Sequence, residues 1–391
     1  MIVPLIGRSR MSVKPTARVL CIGEPLQESI ATREADGSLS NVRGTGFAGD
    51  VAPNLAAYAK MAAEAYGADV QIDVLTALGG VNDPASNAAV ADLAARGLGV
   101  HPATKRIEDK TMGTVANLRD PDGTPSAEKV RLNRKDSAFR DWLNDATDAD
   151  LRAATKGYSH VVVSGIPLAC VREREKLVTL LKYAKAEGAQ IVVSTNLRPS
   201  NWLMPDNDYP HGHTADDPAW KTKAQHWLGK VIPLADMLLA NATDEKTLRG
   251  IEDPKDVLNM LRASNPKAEI VVTDDANPVQ LSYMSPFRQG TKFIDGKQVI
   301  GYEEVKGEFP IYPAAQVRDT VGAGDSLAAT YLAARIARYV PEAALRLGSF
   351  VASQVVGIEG ALPKHGDTSL RFTSAHMKHW LHAGAQQGRA I

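Results

Sequence analysis

The sequence predicts an α/β protein: a central, mostly parallel sheet with helices on both faces and a small β-sheet lid. Three observations lead there. Short apolar runs, nearly continuous in Val, Ile and Leu, alternate with helical patterns along the 391 residues, as expected for strands covered on both faces. Two polar segments, 29–47 and 107–135, break that rhythm after the first and second core strands. They are rich in Gly, Thr and Arg and weakly alternating, which reads as a small antiparallel flap, with long surface loops as the alternative. There is no fixed-period repeat and no low-complexity segment.

Taken in order, residues 1–15 read as a loose extension. Their apolar part precedes their positive charges, the reverse of a secretion signal, and Met11 is a candidate start because the strand pattern begins only near Arg18. Strands follow at RVLCIG (18–23), IDVLTAL (72–78), HVVVSGI (160–166), IVVST (191–195), DMLLA (236–240) and EIVVT (269–273). Helices are expected near 50–66, 84–97, 171–187, 254–263, 325–338 and 341–357. The stretch 201–226 is irregular and places His211, His213 and His226 among acids. Its spacing matches no zinc pattern, so it reads as a solvated insertion.

Composition excludes several functions. The 45 acids balance 45 bases, so the electrostatic footprint of a nucleic-acid binder is missing. No polybasic run suits a membrane surface, and no apolar stretch approaches the ~20 residues of a span. Two cysteines, Cys21 and Cys170, are too few for a disulfide framework, which points to a reducing cytoplasm.

One string carries chemistry. RDTVGAGDSLAATYLAARIA (318–337) sets Gly322, Ala323 and Gly324 before Asp325 at the mouth of a helix. Glycine allows close backbone approach. Successive amides in such a turn form an anion-binding concavity, to which the helix N-terminus adds its dipole. An acid beside an anion hole suits phosphoryl transfer: the acid takes a proton from the attacking hydroxyl, a contribution of about 10²–10⁴-fold, while one oxyanion donor contributes about 3 kcal/mol. A plain helix cap fits the same spacing, and the string matches neither the P-loop nor GxGxxG.

DTVGAGDS (319–326) resembles the C-terminal signature of the ribokinase-like, or PfkB, sugar kinases, and FAGDVAPNLA (47–56) resembles that family's N-terminal element. CIGEPLQE (21–28), DVLTALGGVNDPAS (73–86), RLNRKDSAFRDWL (131–143), VVVSGIPLAC (161–170) and IVVSTNLRPSNWL (191–203) are similar to one branch, the 2-keto-3-deoxygluconate kinases. The resemblance runs over about 17–365. It implies a ribokinase-like three-layer sandwich over 16–365, with the lid from about 29–47 and 107–135 and a tail over 366–391.

The resemblance further implies an ATP-dependent kinase. Asp325 would be the base, and Gly322, Ala323 and Gly324 the anion-hole residues. Gly49, Asp50, Asn54 and Glu28 would face the sugar, with a helix cap or a helix-surface position as the plainer role for Asn54. Arg134 and Arg198 would hold a substrate carboxylate, as guanidinium forks do; surface salt bridges are the alternative. Asn241, Thr273 and Thr320 would approach the nucleotide, and Asp244 or Glu245, depending on register, would order Mg²⁺. A monovalent cation such as K⁺ would sit at Asp319, the adenine between the helix after Asp325 and the segment near 351–361, and a second copy of the chain across the lid. Fructokinase or another sugar or nucleoside kinase is the second reading. A catalytically weak kinase-fold protein that binds a sugar acid is the third.

Several positions depart from the family pattern. Ala48 stands where Gly is usual, Leu132 and Asn133 replace aromatic residues, and Ser194 replaces an Asp. In VVTDDANP (271–278), Asp274 and Asp275 put negative charge near the expected triphosphate, where two unit charges at ~4 Å repel by about 4 kcal/mol at an effective dielectric near 20.

Overall fold

The computed structural model describes residues 17–49, 51–197, 201–202, 218–286, 292–294, 297–299, 302–358 and 360–362. Asp50, Arg198, His211, His213 and the expected tail over 366–391 lie outside them. The first half of the chain forms β1 (Ala17–Ile22), β2 (Pro25–Arg33), β3 (Leu39–Gly49), β4 (Val70–Leu75), β5 (Ala77–Gly79), β6 (Gly99–Val100), β7 (Lys105–Ile107), β8 (Thr114–Arg119) and β9 (Pro125–Asn133). The second half forms β10 (His160–Ser164), β11 (Gln190–Ser194), β12 (Met237–Asn241), β13 (Glu269–Asp274), β14 (Asn277–Pro286), β15 (Lys292–Ile294), β16 (Lys297–Val299) and β17 (Tyr302–Phe309).

Nine of these strands make the central sheet, in the order β17-β14-β13-β12-β11-β10-β1-β4-β6. Every neighbouring pair from β13 to β6 is parallel, while β14 and β17 continue the sheet antiparallel at one edge. The apolar runs explain the parallel part. Val161, Val162 and Val163 are all fully enclosed, because side chains on both faces of β10 meet helices.

Eight of the helices fall into two packed groups. Val51–Tyr66, Ala323–Ile336 and Pro341–Val355 pack on one another, and Asp148–Thr155, Arg174–Ala186, Pro218–Val231, Ala242–Arg249 and Pro254–Ser264 form the second group. Alanines on Val51–Tyr66, among them Ala52, Ala56, Ala59 and Ala63, are buried and let that helix approach its neighbours closely. No helix among the described residues is long and apolar enough to cross a membrane.

The lid is a separate four-stranded sheet, ordered β3-β2-β8-β9. It differs from the expected antiparallel flap, because its central pair β2 and β8 runs parallel, with Glu28 opposite Val115. Each excursion folds back on itself as an antiparallel hairpin, and the two hairpins join through their outgoing strands. The lid also begins earlier than expected, at Pro25, so Glu28 is a lid residue.

The described ends of the 201–226 stretch, 201–202 and 218–226, are less solvated than its composition suggests. Trp202 and Trp220 are buried. The helix Pro218–Val231 turns Trp220, Ala224, Leu228 and Val231 inward, the apolar stripe of an amphipathic helix. His226 is exposed and packs edge-on against Trp227.

Candidate active site

The glycine–acid turn sits where the string implied, and its geometry has identifiable causes. Gly322 caps the helix Ala323–Ile336 with φ of 83°, a left-handed conformation that favours glycine. A Cβ there would press into the backbone carbonyl of Ala361. At Gly324 an added Cβ meets nothing within 4 Å, so the mouth of the helix opens onto space. The turn is pinned from below: Arg318 and Asp319 donate their amides to Val356 O at 2.7 and 3.2 Å, and Ala323 N donates to Thr320 O at 3.3 Å. Thr320 itself is exposed.

Asp325 lies in the first turn, where the helix dipole favours negative charge. Asn54 Nδ2 donates to Asp325 Oδ2 at 2.9 Å, so Asn54, inside the helix Val51–Tyr66 and buried, holds the acid's rotamer. As the fourth residue of that helix it stands inside the first turn and is not its N-cap. Tyr58, one turn further on, donates its hydroxyl to Ala361 O at 2.9 Å. Burial, and then the charge of Asp325, raise the Tyr58 pKa far above the ordinary phenol value, so Tyr58 serves as a neutral donor.

Glu28 reaches the same corner from the lid. It is buried, its Oε1 accepting from Asn117 Nδ2 at 2.6 Å and from Ala361 N at 3.2 Å. Asp319 Oδ1 accepts from Val321 N at 3.0 Å, and its Oδ2 accepts from Gly360 N at 3.2 Å and from Arg119 Nη2 at 3.0 Å. Lid, glycine turn and the 360–361 segment therefore share one hydrogen-bonded seam. Asn117 and Arg119 were not anticipated. Their signal is that they lie two apart on β8 and so share a face with each other.

Further expected residues line the carboxyl ends of the parallel strands, the usual ligand edge of such sheets. Asn241 ends β12, caps the helix Ala242–Arg249 by accepting from Asp244 N at 3.2 Å, and donates Nδ2 to Thr273 Oγ1 at 3.3 Å. Asp244 Oδ2 accepts from Leu197 N at 2.9 Å, tying this helix start to the loop after β11. Glu245 points the other way. It is fully enclosed, paired with Arg249 at 2.8 Å, and burial raises its pKa; a side chain sealed in the core does not reach a nucleotide at the strand ends. Gly49 ends β3 opposite Pro25.

Asp274 and Asp275 form the β13–β14 turn. Asp275 has φ of 46°, left-handed backbone that a non-glycine residue rarely adopts. Asp274 Oδ2 accepts from Asn277 Nδ2 at 3.0 Å, and Asp275 Oδ2 from Thr243 Oγ1 at 3.4 Å. Both acids thus have donors of their own within the fold.

Arg134 has an acid of its own. It pairs with Glu24 at 2.7 Å, each side chain 1% exposed, and its Nη1 contacts Cys170 Sγ at 3.3 Å. Glu24 also accepts from Gly113 N at 3.2 Å and from Ser137 Oγ. Among the described residues no group of three His, Cys, Asp or Glu side chains could hold a metal by itself.

Residues 210–365 match the profile described as pfkB family carbohydrate kinase. The 2-dehydro-3-deoxygluconokinase of Escherichia coli strain K12 is 27% identical over 261 residues, 66% of this chain and 73% of the enzyme. That of Dickeya dadantii strain 3937 is 25% identical over 232 residues, 59% of this chain and 64% of the enzyme. Among solved structures, adenosine kinase from Sinorhizobium meliloti superposes with a TM-score of 0.65 at 17% identity, covering 93% of this chain and 99% of that one. An Escherichia coli protein assigned as ribokinase II, in complex with ATP and Mg²⁺, gives 0.66 at 15% identity, with 94% and 99% covered. At such identity the structural likeness establishes the fold.

Proposed function

We propose that the chain is a pfkB-family carbohydrate kinase that transfers the γ-phosphoryl group of ATP to a hydroxyl of a keto-deoxy sugar acid such as 2-keto-3-deoxygluconate. The observation that carries this reading is the pairing of Asp325 with Asn54 at the open mouth of the glycine turn. The two come from different ends of the chain, and together they present an oriented carboxylate beside backbone donors. The substrate class is supported by the two relatives named 2-dehydro-3-deoxygluconokinase.

In this reading Asp325 accepts the proton of the attacking hydroxyl while its oxygen attacks phosphorus, the bond to the β-phosphate oxygen breaks and ADP leaves. The Asn54 amide keeps the carboxylate turned toward the acceptor. The Gly322–Gly324 backbone and the helix dipole stabilise charge on the phosphoryl oxygens, so positioning and electrostatics supply most of the rate. Gly49, Asp50 and Glu28 belong to the sugar side; Asn241, Thr273 and Thr320 to the nucleotide side. Mg²⁺ bound with ATP would neutralise phosphate charge, and Asp244, at the strand ends, is the acid to order it. A dimer through the lid is part of the proposal, since β3 and β9 are the outer strands of that sheet.

One observation favours the second reading, a neutral sugar such as fructose. The buried pairing of Arg134 with Glu24 already gives that guanidinium an acid partner, leaving Arg198 to recognise a substrate carboxylate. An ADP-release screen over sugars and sugar acids separates the two. We expect turnover with a keto-deoxy aldonic acid, and loss of about 10²–10⁴-fold in kcat in Asp325→Asn with nucleotide affinity retained. Turnover confined to neutral sugars, or a fully active Asp325→Asn, would remove the assignment.

A further inference from the structure

Asp319 stands two residues before Val321, whose amide it orders, and next to the turn in which a phosphoryl group would sit. A bare carboxylate there would oppose any anion entering the turn. The structure supplies its counter-charge from the lid. Arg119 Nη2 lies 3.0 Å from Asp319 Oδ2, the side chains 13% and 7% exposed, and Gly360 N donates to the same oxygen while Val321 N donates to Oδ1. The monovalent cation that the family resemblance implies at Asp319 does not fit this arrangement. One oxygen already accepts two donors, the carboxylate is neutralised, and a second cation would sit against a guanidinium.

We infer that Arg119 is the resident cation of the glycine turn: a positioning residue, fixed to lid strand β8, that takes the electrostatic place of a dissociable K⁺ and makes turnover independent of monovalent salt. Guanidinium stays charged at every physiological pH, so the neutralisation persists, and it is delivered by the lid. Arg119 sits two residues after Asn117, which holds Glu28 against the Ala361 amide. The same strand therefore fixes the charge of the turn and the segment against which Gly322 is pressed.

The rate measurement rests on the kinase reading; a second readout does not. Initial rates of wild type, Arg119→Ala and Arg119→Lys are measured with Mg·ATP and 2-keto-3-deoxygluconate in KCl and in tetramethylammonium chloride at equal ionic strength. The melting temperature of each ligand-free protein is measured in the same salts. Wild type and Arg119→Lys are expected to show the same kcat and the same melting temperature in both. Arg119→Ala should lose about tenfold or more in kcat in tetramethylammonium, with a smaller change in the KM for ATP. It should recover on adding K⁺ or millimolar guanidinium, and gain thermal stability specifically in K⁺. The inference is overturned by a wild type that needs K⁺ for turnover or is stabilised specifically by it. It is equally overturned by a folded Arg119→Ala that keeps the full rate, or that neither cation restores. A wild type inert toward all sugars would count against the kinase reading, and the melting comparison would still decide the role of Arg119.

Discussion

A single methyl group at position 322 tests the geometry of the glycine turn. At φ of 83° an L-residue incurs about 1–2 kcal/mol of backbone strain. In Gly322→Ala the new Cβ would also press into the Ala361 carbonyl, whose oxygen is held by Tyr58 and whose amide is held by Glu28. That partner yields only if the lid acid moves, so the turn itself must shift. The stability loss is then about 1–2 kcal/mol, a fall of a few degrees in melting temperature, roughly 2–4 °C per kcal/mol in mid-sized domains. On the proposed function the rate loss is larger, because one misdirected oxyanion donor costs about 10²–10³-fold in kcat. The assay couples ADP release to NADH oxidation, with circular dichroism and thermal melting on the same preparation. Gly324→Ala is the control. Its Cβ meets nothing within 4 Å, so the free protein should melt at or above the wild-type temperature, and any defect should show in the KM for ATP. A Gly322→Ala enzyme that turns over at the wild-type rate would refute the reasoning, as would a Gly324→Ala protein that melts as low as Gly322→Ala.

Two further outcomes follow from buried charge. Glu24→Ala leaves the Arg134 guanidinium enclosed without its acid and should cost about 3–5 kcal/mol in urea unfolding, whereas Glu24→Gln, which can still accept from Gly113 N and Ser137, should cost less. His101 is held below its ordinary value of 6.5 chiefly by burial, with the Asp73 charge opposing and Arg18 adding to the depression, and its Nδ1 accepts from Ala103 N at 3.0 Å. The unfolded chain therefore takes the proton more readily than the folded one. The contribution is present above about pH 6.5 and lost as pH falls below it; the urea midpoint should drop from about pH 7 to 5.5, and less steeply in His101→Gln.

The parallel core was legible because its strands are covered on both faces and so read as unbroken Val, Ile and Leu. β17 was not, because an edge strand needs no such run; nor was β14, paired on both sides by β13 and β17, because it interleaves the polar Gln280 and Ser282 with Val279 and Leu281. β17 is mostly exposed and carries Glu303, Glu304, Lys306 and Glu308, the charged decoration that keeps a free sheet edge from pairing with another chain. The helix Ala242–Arg249 was hidden for a similar reason, being polar except for Ala242 and Leu248. In the site, Gly322, Gly324 and Asp325 stood out because their signal is local. Arg119 lies 200 residues from Asp319, and nothing in either neighbourhood announces the pair. Arg134 shows the converse limit. A forked cation in a strand-to-helix return suggests a ligand anion, and only the folded chain reveals that Glu24 stands within reach of it.

The seam between Glu28 and Ala361 joins positions 333 residues apart, with consequences for biogenesis. A ribosome has released Glu28, Asn117 and Arg119 long before the Gly360–Ala361 amides exist, so this corner cannot be completed until the end of synthesis. Splitting the polypeptide upstream of residue 360 should yield two silent halves, with activity returning only on their reassociation.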